Sequence, residues 1–389
     1  MKILIAEDAA IPRRLLKEHL EEFGHEVVAT KDGAEAWEAF QKEHFPIVVS
    51  DWIMPNMDGI QLVRRIRETE SNGYVYIIML TAKSGKEDLI EGMEAGADDF
   101  ITKPFEKDEL RVRLHAGERV INLEQSLAER NRSLESANLR MKSDLDAAAK
   151  IQTAFLPSHP PDLHGTQFSW TFEPCDELAG DTLNIIKFDD ETVAVYVLDV
   201  SGHGVPAALL SVTLSRTLSP NDPGSVLTRP GSTEIASPAE VATQLNERFS
   251  WDEATEQYFT MIYGTFNTRS REFTFVQAGH PSPILLPENG SPRTFETTGA
   301  PIGLIEASYT EHTITLGPSD RFYMYSDGIP EAGNSDGDQY GDDRLMRTLD
   351  LAKGIPLDDS IEFLLKNVRQ WRGAAPAEDD ISILAMELM

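Results

Sequence analysis

The sequence has a single cysteine, Cys175, so no intrachain disulfide can form and a reducing compartment is the natural setting. Histidine is scarce as well, nine in 389 residues, which together with the lone cysteine makes a zinc centre a poor candidate. Positive charge is short: 35 Lys and Arg face 65 Asp and Glu, a formal charge of −30. A chain this acidic repels phosphate backbones and anionic lipid, no basic block interrupts it, and the expectation is no DNA and no membrane. Long apolar runs are missing too; stretches such as Val75 to Leu80 fall far short of the ~18 to 20 residues of a membrane span. The start, Met1 to Asp8, turns acidic where a signal peptide would continue apolar, so the chain reads as soluble and cytoplasmic. What is present is 41% hydrophobic residue, enough to bury real cores, over a length that fits two or three domains at ~150 residues each.

Residues 1–120 alternate short β-rich runs with amphipathic helical stretches. Strands are expected at Lys2 to Ala6, Glu26 to Ala29, Ile47 to Ser50, Tyr74 to Leu80 and Asp99 to Thr102, with helices such as Pro12 to Phe23 and Gly59 to Glu70 between them. Five β/α repeats predict a doubly wound α/β domain whose ligands sit at the carboxyl ends of the parallel strands.

Residues 106–156 hold no glycine except Gly117 and no proline until Pro157. Apolar residues recur every seven positions at Val120, Leu127, Leu134, Met141, Ala148 and Phe155, with Leu123, Ala137 and Ile151 in the companion register. That spacing predicts a helical coiled-coil linker overlapping the last helix of the first domain, and through it a homodimer. Arg130 and Asp144 interrupt the companion register.

From residue 157 to 389 the texture is of short strands punctuated by Gly, Pro and Asp, at Phe168 to Phe172, Thr192 to Val200, Tyr258 to Phe266, Glu272 to Gln277, Ser282 to Leu286, His312 to Leu316, Arg321 to Ser326 and Ile381 to Met386. Helices are expected at Val205 to Leu218, Pro238 to Phe249, Arg344 to Ala352 and Leu357 to Gln370. An α+β sandwich is expected. The Pro-, Gly- and Ser-rich segment Ser219 to Ser237 reads as a long exposed loop.

Two sets of polar residues stand at strand ends. In the first, Glu7 and Asp8 follow strand one, Asp51 strand three, Thr81 strand four and Lys103 strand five. Three carboxylates on one sheet edge repel unless a hard divalent cation joins them, and Mg2+ with oxygen ligands meets that need. Lys103 and Thr81 are then placed to hold the oxygens of a phosphoryl group on Asp51. With Met54-Pro55-Asn56-Met57-Asp58-Gly59 beyond the central aspartate, these residues resemble a response-regulator receiver domain of the CheY-like family. The resemblance implies that Asp51 accepts phosphate from a histidine kinase, that Glu7, Asp8, Asp51 and the Ile53 carbonyl bind Mg2+, and that Thr81 and Phe100 form the switch pair.

The second set is Ala179-Gly180-Asp181, Leu198-Asp199-Val200-Ser201-Gly202-His203-Gly204, Tyr325-Ser326-Asp327-Gly328-Ile329 and Glu378-Asp379-Asp380-Ile381-Ser382. Carboxylates scattered in sequence and converging in space suit two Mg2+ or Mn2+ ions that activate a water for in-line attack on phosphorus. Together with Ile151-Gln152, Phe155-Leu156-Pro157, Ala278-Gly279-His280-Pro281-Ser282-Pro283 and Pro301-Ile302-Gly303-Leu304, they resemble a PPM-type (SpoIIE-like) serine/threonine protein phosphatase. The resemblance implies that Asp199 bridges both metals, that the Val200 carbonyl adds an oxygen, and that Asp181, Asp327 and Asp379 complete the shells, with Asp380 behind them. Where that family commonly has Gly-Gly-Asp-Phe-Tyr-Asp, this chain has Ala179-Gly180-Asp181-Thr182-Leu183-Asn184. His203 is a candidate to protonate the leaving oxygen, ahead of His280. The function so implied is a response regulator in which Asp51 phosphorylation controls a phosphatase acting on the phosphorylated anti-sigma-factor antagonist of a partner-switching stress pathway. The rival is a non-catalytic adaptor that binds a sigma factor for proteolysis, and it predicts lost metal ligands.

Overall fold

The computed structural model describes the chain apart from residues 70–72, 83–85, 230, 252–255 and 296–298 and the side chains of 86–89. The chain divides into two compact units, Met1–Arg140 and Met141–Met389.

In the first unit β1 (Lys2–Ala6), α1 (Ala10–Glu22), β2 (Glu26–Thr30), α2 (Gly33–Lys42), β3 (Ile47–Asp51), α3 (Gly59–Glu68), β4 (Tyr76–Thr81), α4 (Lys86–Ala95) and β5 (Asp99–Thr102) follow one another, and α5 (Lys107–Thr153) leaves the sheet. The expected last residue of α3, Glu70, lies outside the described residues. The strands form one parallel sheet in the order β2-β1-β3-β4-β5. Alternation divides its core: Leu4, Val48, Ile77 and Met79 face one helix layer, and Ile3, Ile5, Ile47, Val49, Ile78 and Leu80 the other. Asp32 caps α2 by accepting the Glu35 N–H, and Asp58 with Gln61 closes a capping box on α3.

α5 changes character along its length. Leu110, Leu114 and Ile121 are buried in the first unit's core with Val120 packed beside them. Beyond them Leu123, Leu127, Leu134, Met141 and Ile151 are all exposed. The expected heptad seam is therefore shorter than its sequence: Val120 is taken by the first unit's core, and Phe155 lies in a turn after the helix.

The second unit is a four-layer α/β/β/α sandwich. β6 (Thr166–Glu173), β7 (Thr182–Lys187), β8 (Thr192–Val200), α6 (Val205–Thr217), α7 (Pro238–Arg248), β9 (Phe259–Asn267), β10 (Glu272–Ala278), β11 (Ile284–Leu286), β12 (Arg293–Thr294), β13 (His312–Thr315), β14 (Arg321–Tyr325), α8 (Asp342–Leu351), α9 (Leu357–Arg372) and β15 (Ile381–Leu388) build it. One sheet runs β13-β10-β9-β8-β7 and the other β12-β11-β14-β15-β6. Leu183, Val195, Val197, Phe273, Phe322, Met324 and Leu384 fill the space between the sheets. The outer face of the first sheet packs on α6 and α7 through Tyr196, Leu198, Leu214 and Leu245, and that of the second on α8 and α9 through Tyr323, Leu345, Leu364 and Ile383.

The segment Ser219 to Ser237, expected as an exposed loop, is only partly so: Val226, Leu227 and Ala236 are buried against α6 and α7, and Thr228 bridges to Ile235. Three apolar residues spaced among turn formers anchor it, a pattern that composition conceals. Among the described residues no helix is long and apolar enough to cross a membrane.

Candidate functional site

In the first unit, Glu7, Asp8 and Asp51 offer carboxylate oxygens that all lie within 4.8 Å of one another. They meet because β1 and β3 are neighbours while the chain crosses to β2 between them, so the loops diverge and leave a crevice at the strands' carboxyl ends. Lys103 Nζ donates to Glu7 Oε2 at 2.5 Å and to Asp51 Oδ2 at 2.8 Å. Burial holds the Glu7 carboxyl above its usual range, against the pull of Lys103. For Lys103, burial works downward, but its bonds to Asp51 and Glu7 prevail and its pKa is raised. The peptide before Pro104 is cis, and Lys103 N–H donates to Thr81 O at 2.8 Å.

Thr81 is buried at the end of β4, Phe100 is half-buried with its ring 6.2 Å from that of Trp52, and Ile53 is exposed in the loop after Asp51. Two contributors are not visible in the motifs. Arg13 donates to the carbonyls of Glu7 at 2.8 Å and Asp8 at 2.9 Å, fixing the acidic turn, and Trp52 N–H donates to Asp51 Oδ1 at 2.8 Å. An arginine one turn into the helix after an acidic pair was the available signal.

In the second unit the site lies where the inter-sheet core ends. Val193, Val195 and Val197 of β8 face inward, and the same alternation carries Asp199 inward at the end of the strand. Thr182 pairs with Leu198, so Asp181, one residue earlier, arrives opposite Asp199. In the other sheet β14 ends at Tyr325 and β15 begins at Ile381, and Ser326 N–H donates to Ser382 O at 2.9 Å. That pairing brings Asp327 and the Asp379-Asp380 pair to the same open edge.

The four expected ligands share one electrostatic field. Burial foremost, then the charges of Asp199 and Asp380, hold Asp181 well above the carboxylate range. Asp199 is pushed up to about 7 by burial and then by Asp327, Asp379 and Asp380. Asp327 is pushed up to about 6 by burial and then by Asp379 and Glu331, and Asp379 is raised chiefly by burial. Asp181 Oδ2 and Asp327 Oδ1 are buried without a hydrogen-bond partner. Among the described residues none of the four enters an ion pair. Like charges, orphaned oxygens and no lysine or arginine acting on them are what a divalent-cation site presents, and the all-oxygen donor set fits Mg2+ or Mn2+.

Asp380 has a different task. Its Oδ1 accepts Cys175 N–H and its Oδ2 accepts Gly180 N–H, both at 2.8 Å, so it ties the Asp181 segment to β15. Two glycines permit the close approach: a Cβ on Gly328 would lie 2.0 Å from Asp380 O, and one on Gly180 would lie 2.8 Å from Val200 O. His203 is exposed at the rim, 3.8 Å from Asp176, and its charge lowers Asp379. His280 is buried, hydrogen-bonded through Nδ1 to Thr260 Oγ1 at 2.8 Å, and pushed down to about 3 by burial.

Comparison with known proteins follows the same division. Residues 189–389 match the family described as Stage II sporulation protein E (SpoIIE), and residues 3–115 match the response regulator receiver domain. A probable transcriptional regulator, ycf27, of Porphyridium aerugineum is 44% identical over 115 residues, 30% of this chain and 47% of that protein. A chemotaxis protein CheY homolog of Campylobacter jejuni is 35% identical over 116 residues, 29% of this chain and 89% of that protein. The chain thus spans about half the length of the ycf27 relative. The SiaA-PP2C domain of Pseudomonas aeruginosa superposes with a TM-score of 0.56 at 23% identity, over 65% of this chain and 99% of that one, a likeness of fold.

Proposed function

Because the chain belongs to the Stage II sporulation protein E (SpoIIE) family through residues 189–389 and to the response-regulator receiver family through residues 3–115, we propose that it is a response regulator whose output is a metal-dependent phosphoserine/phosphothreonine protein phosphatase. The observation that carries this reading is the convergence of Asp181, Asp199, Asp327 and Asp379 at one edge of the sandwich, each raised by burial and by neighbouring carboxylates.

In this reading Asp199, which feels Asp327, Asp379 and Asp380 at once, is the central ligand. Asp181, Asp327, Asp379 and the Val200 carbonyl surround it. When bound, a pair of Mn2+ or Mg2+ ions supplies the positive charge and water activation that phosphomonoester hydrolysis needs. The chain's own work is to hold the carboxylates without a counter-charge of its own, to keep their loops close through Gly328 and Asp380, and to leave the rim open to a protein. His203, exposed and 3.8 Å from Asp176, is the candidate to pass a proton to a leaving serine oxygen, ahead of buried His280.

In the receiver, residues 1–120, the phosphoryl group passes from a histidine kinase to an Asp51 carboxylate oxygen, the P–N bond of phosphohistidine breaking as the P–O bond forms. Lys103 and Thr81 would hold its oxygens, and Glu7, Asp8, Asp51 and the Ile53 carbonyl would hold Mg2+, which supplies positive charge to the transferred group. Thr81 and Phe100 form the switch. Residues 106–156 are the linker, residues 157–389 the phosphatase domain, and the exposed stripe Leu123, Leu127, Leu134, Met141 seats a second copy. The unbroken α5 is the conduit by which phosphorylation biases the phosphatase. The substrate, by the SpoIIE-like resemblance, is the phosphorylated anti-sigma-factor antagonist of a cytoplasmic partner-switching pathway. Full-length protein should release phosphate from a phosphoserine protein with Mn2+ and stop with EDTA. A protein that binds Mn2+ yet releases none is an adaptor instead.

A further inference from the structure

We propose that Gln152 and Asn184 are positioning residues for Asp181: two side-chain amides that fasten the end of α5 to both flanks of the segment carrying that carboxylate. The proposal rests on the reading of Asp181 as a metal ligand.

Gln152 sits in the last turn of α5 and is only 6% exposed. A buried primary amide needs partners for donors and acceptor alike. Gln152 Nε2 donates to Ala179 O at 2.6 Å, and Ala179 N–H donates back to Gln152 Oε1 at 3.2 Å. This reciprocal pair is the bonding a neighbouring strand gives a residue in a sheet, supplied here by a side chain. Gln152 Nε2 also lies 3.4 Å from Ser211 Oγ on α6, and Ser211 Oγ donates to Asp181 O at 3.3 Å. The chain of bonds therefore ends on the backbone of Asp181 itself.

Asn184 approaches from the other side. Its Nδ2 donates to Phe155 O, in the turn after α5, at 3.0 Å, while its Oδ1 accepts Ile185 N–H at 2.8 Å. An aspartate here would have no N–H to donate and would set its charge against the carbonyl. The amide is thus what lets β7 hold the turn. Ala179 lies two residues before Asp181 and Asn184 three after, so the end of α5 grips both flanks.

Asp181 has one carboxylate oxygen without a hydrogen-bond partner, so that oxygen is placed by its backbone rather than by bonds of its own. Metal sites require ligand distances within ~0.2 Å, and losing an outer partner of a ligand costs ~10- to 100-fold in metal affinity. Removing either amide should therefore weaken ion binding while the apolar core between the two sheets, to which neither residue belongs, persists.

The test is Mn2+ binding by full-length protein, read by calorimetry and by the electron paramagnetic resonance of unbound Mn2+, in a background where Asp8→Asn silences the receiver. Asp181→Asn should lose an ion. Gln152→Met, of similar length without the amide, and Asn184→Asp, of similar shape without the donor, should each weaken Mn2+ binding ~10-fold or more. Gln152→Glu, which keeps the acceptor for Ala179 N–H, should fall between, and exposed Ile151→Ala should bind as the parent does. A purely structural role would lower the melting temperature and leave the affinity of the folded protein unchanged. If Asp181→Asn weakens binding while Gln152→Met and Asn184→Asp bind as the parent does, the positioning role is overturned and the metal-site reading stands. If Asp181→Asn binds as the parent does, the metal-site reading falls. Should Gln152→Met fail to fold, Asn184→Asp decides by the same criterion.

Discussion

Removing one carboxylate from the phosphatase cluster should stabilise the metal-free protein and destabilise it relative to wild type once metal is added. Asp199 is pushed from 3.8 up to about 7, chiefly by burial and then by the charges of Asp327, Asp379 and Asp380. A carboxyl whose folded pKa lies above its unfolded value binds protons more tightly when folded. The stability it contributes is full below about pH 4 and is lost as pH rises through about 7. At ~1.4 kcal/mol per pKa unit this is about 4 kcal/mol, and about 2 kcal/mol once relaxation and water entry at an open edge are allowed for. In EDTA at pH 7.5, Asp199→Asn should raise the melting temperature of the second unit by ~4 to 8 °C, the shift expected of about 2 kcal/mol at this size. The gain should shrink toward pH 5. Mn2+ at 100 times wild type's dissociation constant adds ~2.7 kcal/mol to wild type, and the variant, without its central ligand, should gain less than ~0.7 kcal/mol, so the order of the two melting temperatures should reverse. Scanning calorimetry of both proteins, with EDTA and with Mn2+, reads the reversal directly. A variant that melts below wild type in EDTA at pH 7.5, or that gains as much as wild type from Mn2+, refutes the reasoning.

Incubation with a small phosphodonor and Mg2+ should label Asp51 alone, and acyl phosphate trapping should find none in Asp51→Ala. Gly328→Ala drives a Cβ to 2.0 Å from Asp380 O and should cost ~1 to 3 kcal/mol, read as a lower denaturant midpoint for the second unit. Leu127→Asp with Leu134→Asp places charge on the exposed stripe and should turn a dimer into a monomer by light scattering at tens of micromolar, roughly the regime where short coiled coils associate. Four glycines inserted between Leu134 and Glu135 should remove the effect of phosphodonor on hydrolysis while each site stays active.

The sequence was most legible where periodicity and punctuation agreed. β8, Thr192–Val200, is bounded as the pattern predicts because a long β-branched run gives way after Val200 to Ser201 and Gly202. β7 was not foreseen: Thr182–Lys187 is buried on both faces, so it shows no alternation, and Asn184 in its middle reads as a turn residue. The aspartates of both sites stand out because each lies at or within two residues of a strand end, Asp181 and Asp327 beside glycine. The groups that hold them do not, since Gln152 reaches Ala179 across 27 residues and Asp380 reaches Gly180 across 200, separations at which no local pattern survives. The linker shows a further limit: a heptad repeat continues into Val120 and Phe155, but tertiary packing claims the first and the helix ends before the second.

The central claim, that the carboxylate cluster of the second unit is a two-metal phosphatase centre, is met most directly by phosphate release from a phosphoserine protein at saturating Mn2+. Wild type should turn over, and Asp199→Asn and Asp327→Asn, each folded by circular dichroism, should not, because one missing carboxylate loses an ion. Near-wild-type turnover by both variants would contradict the account.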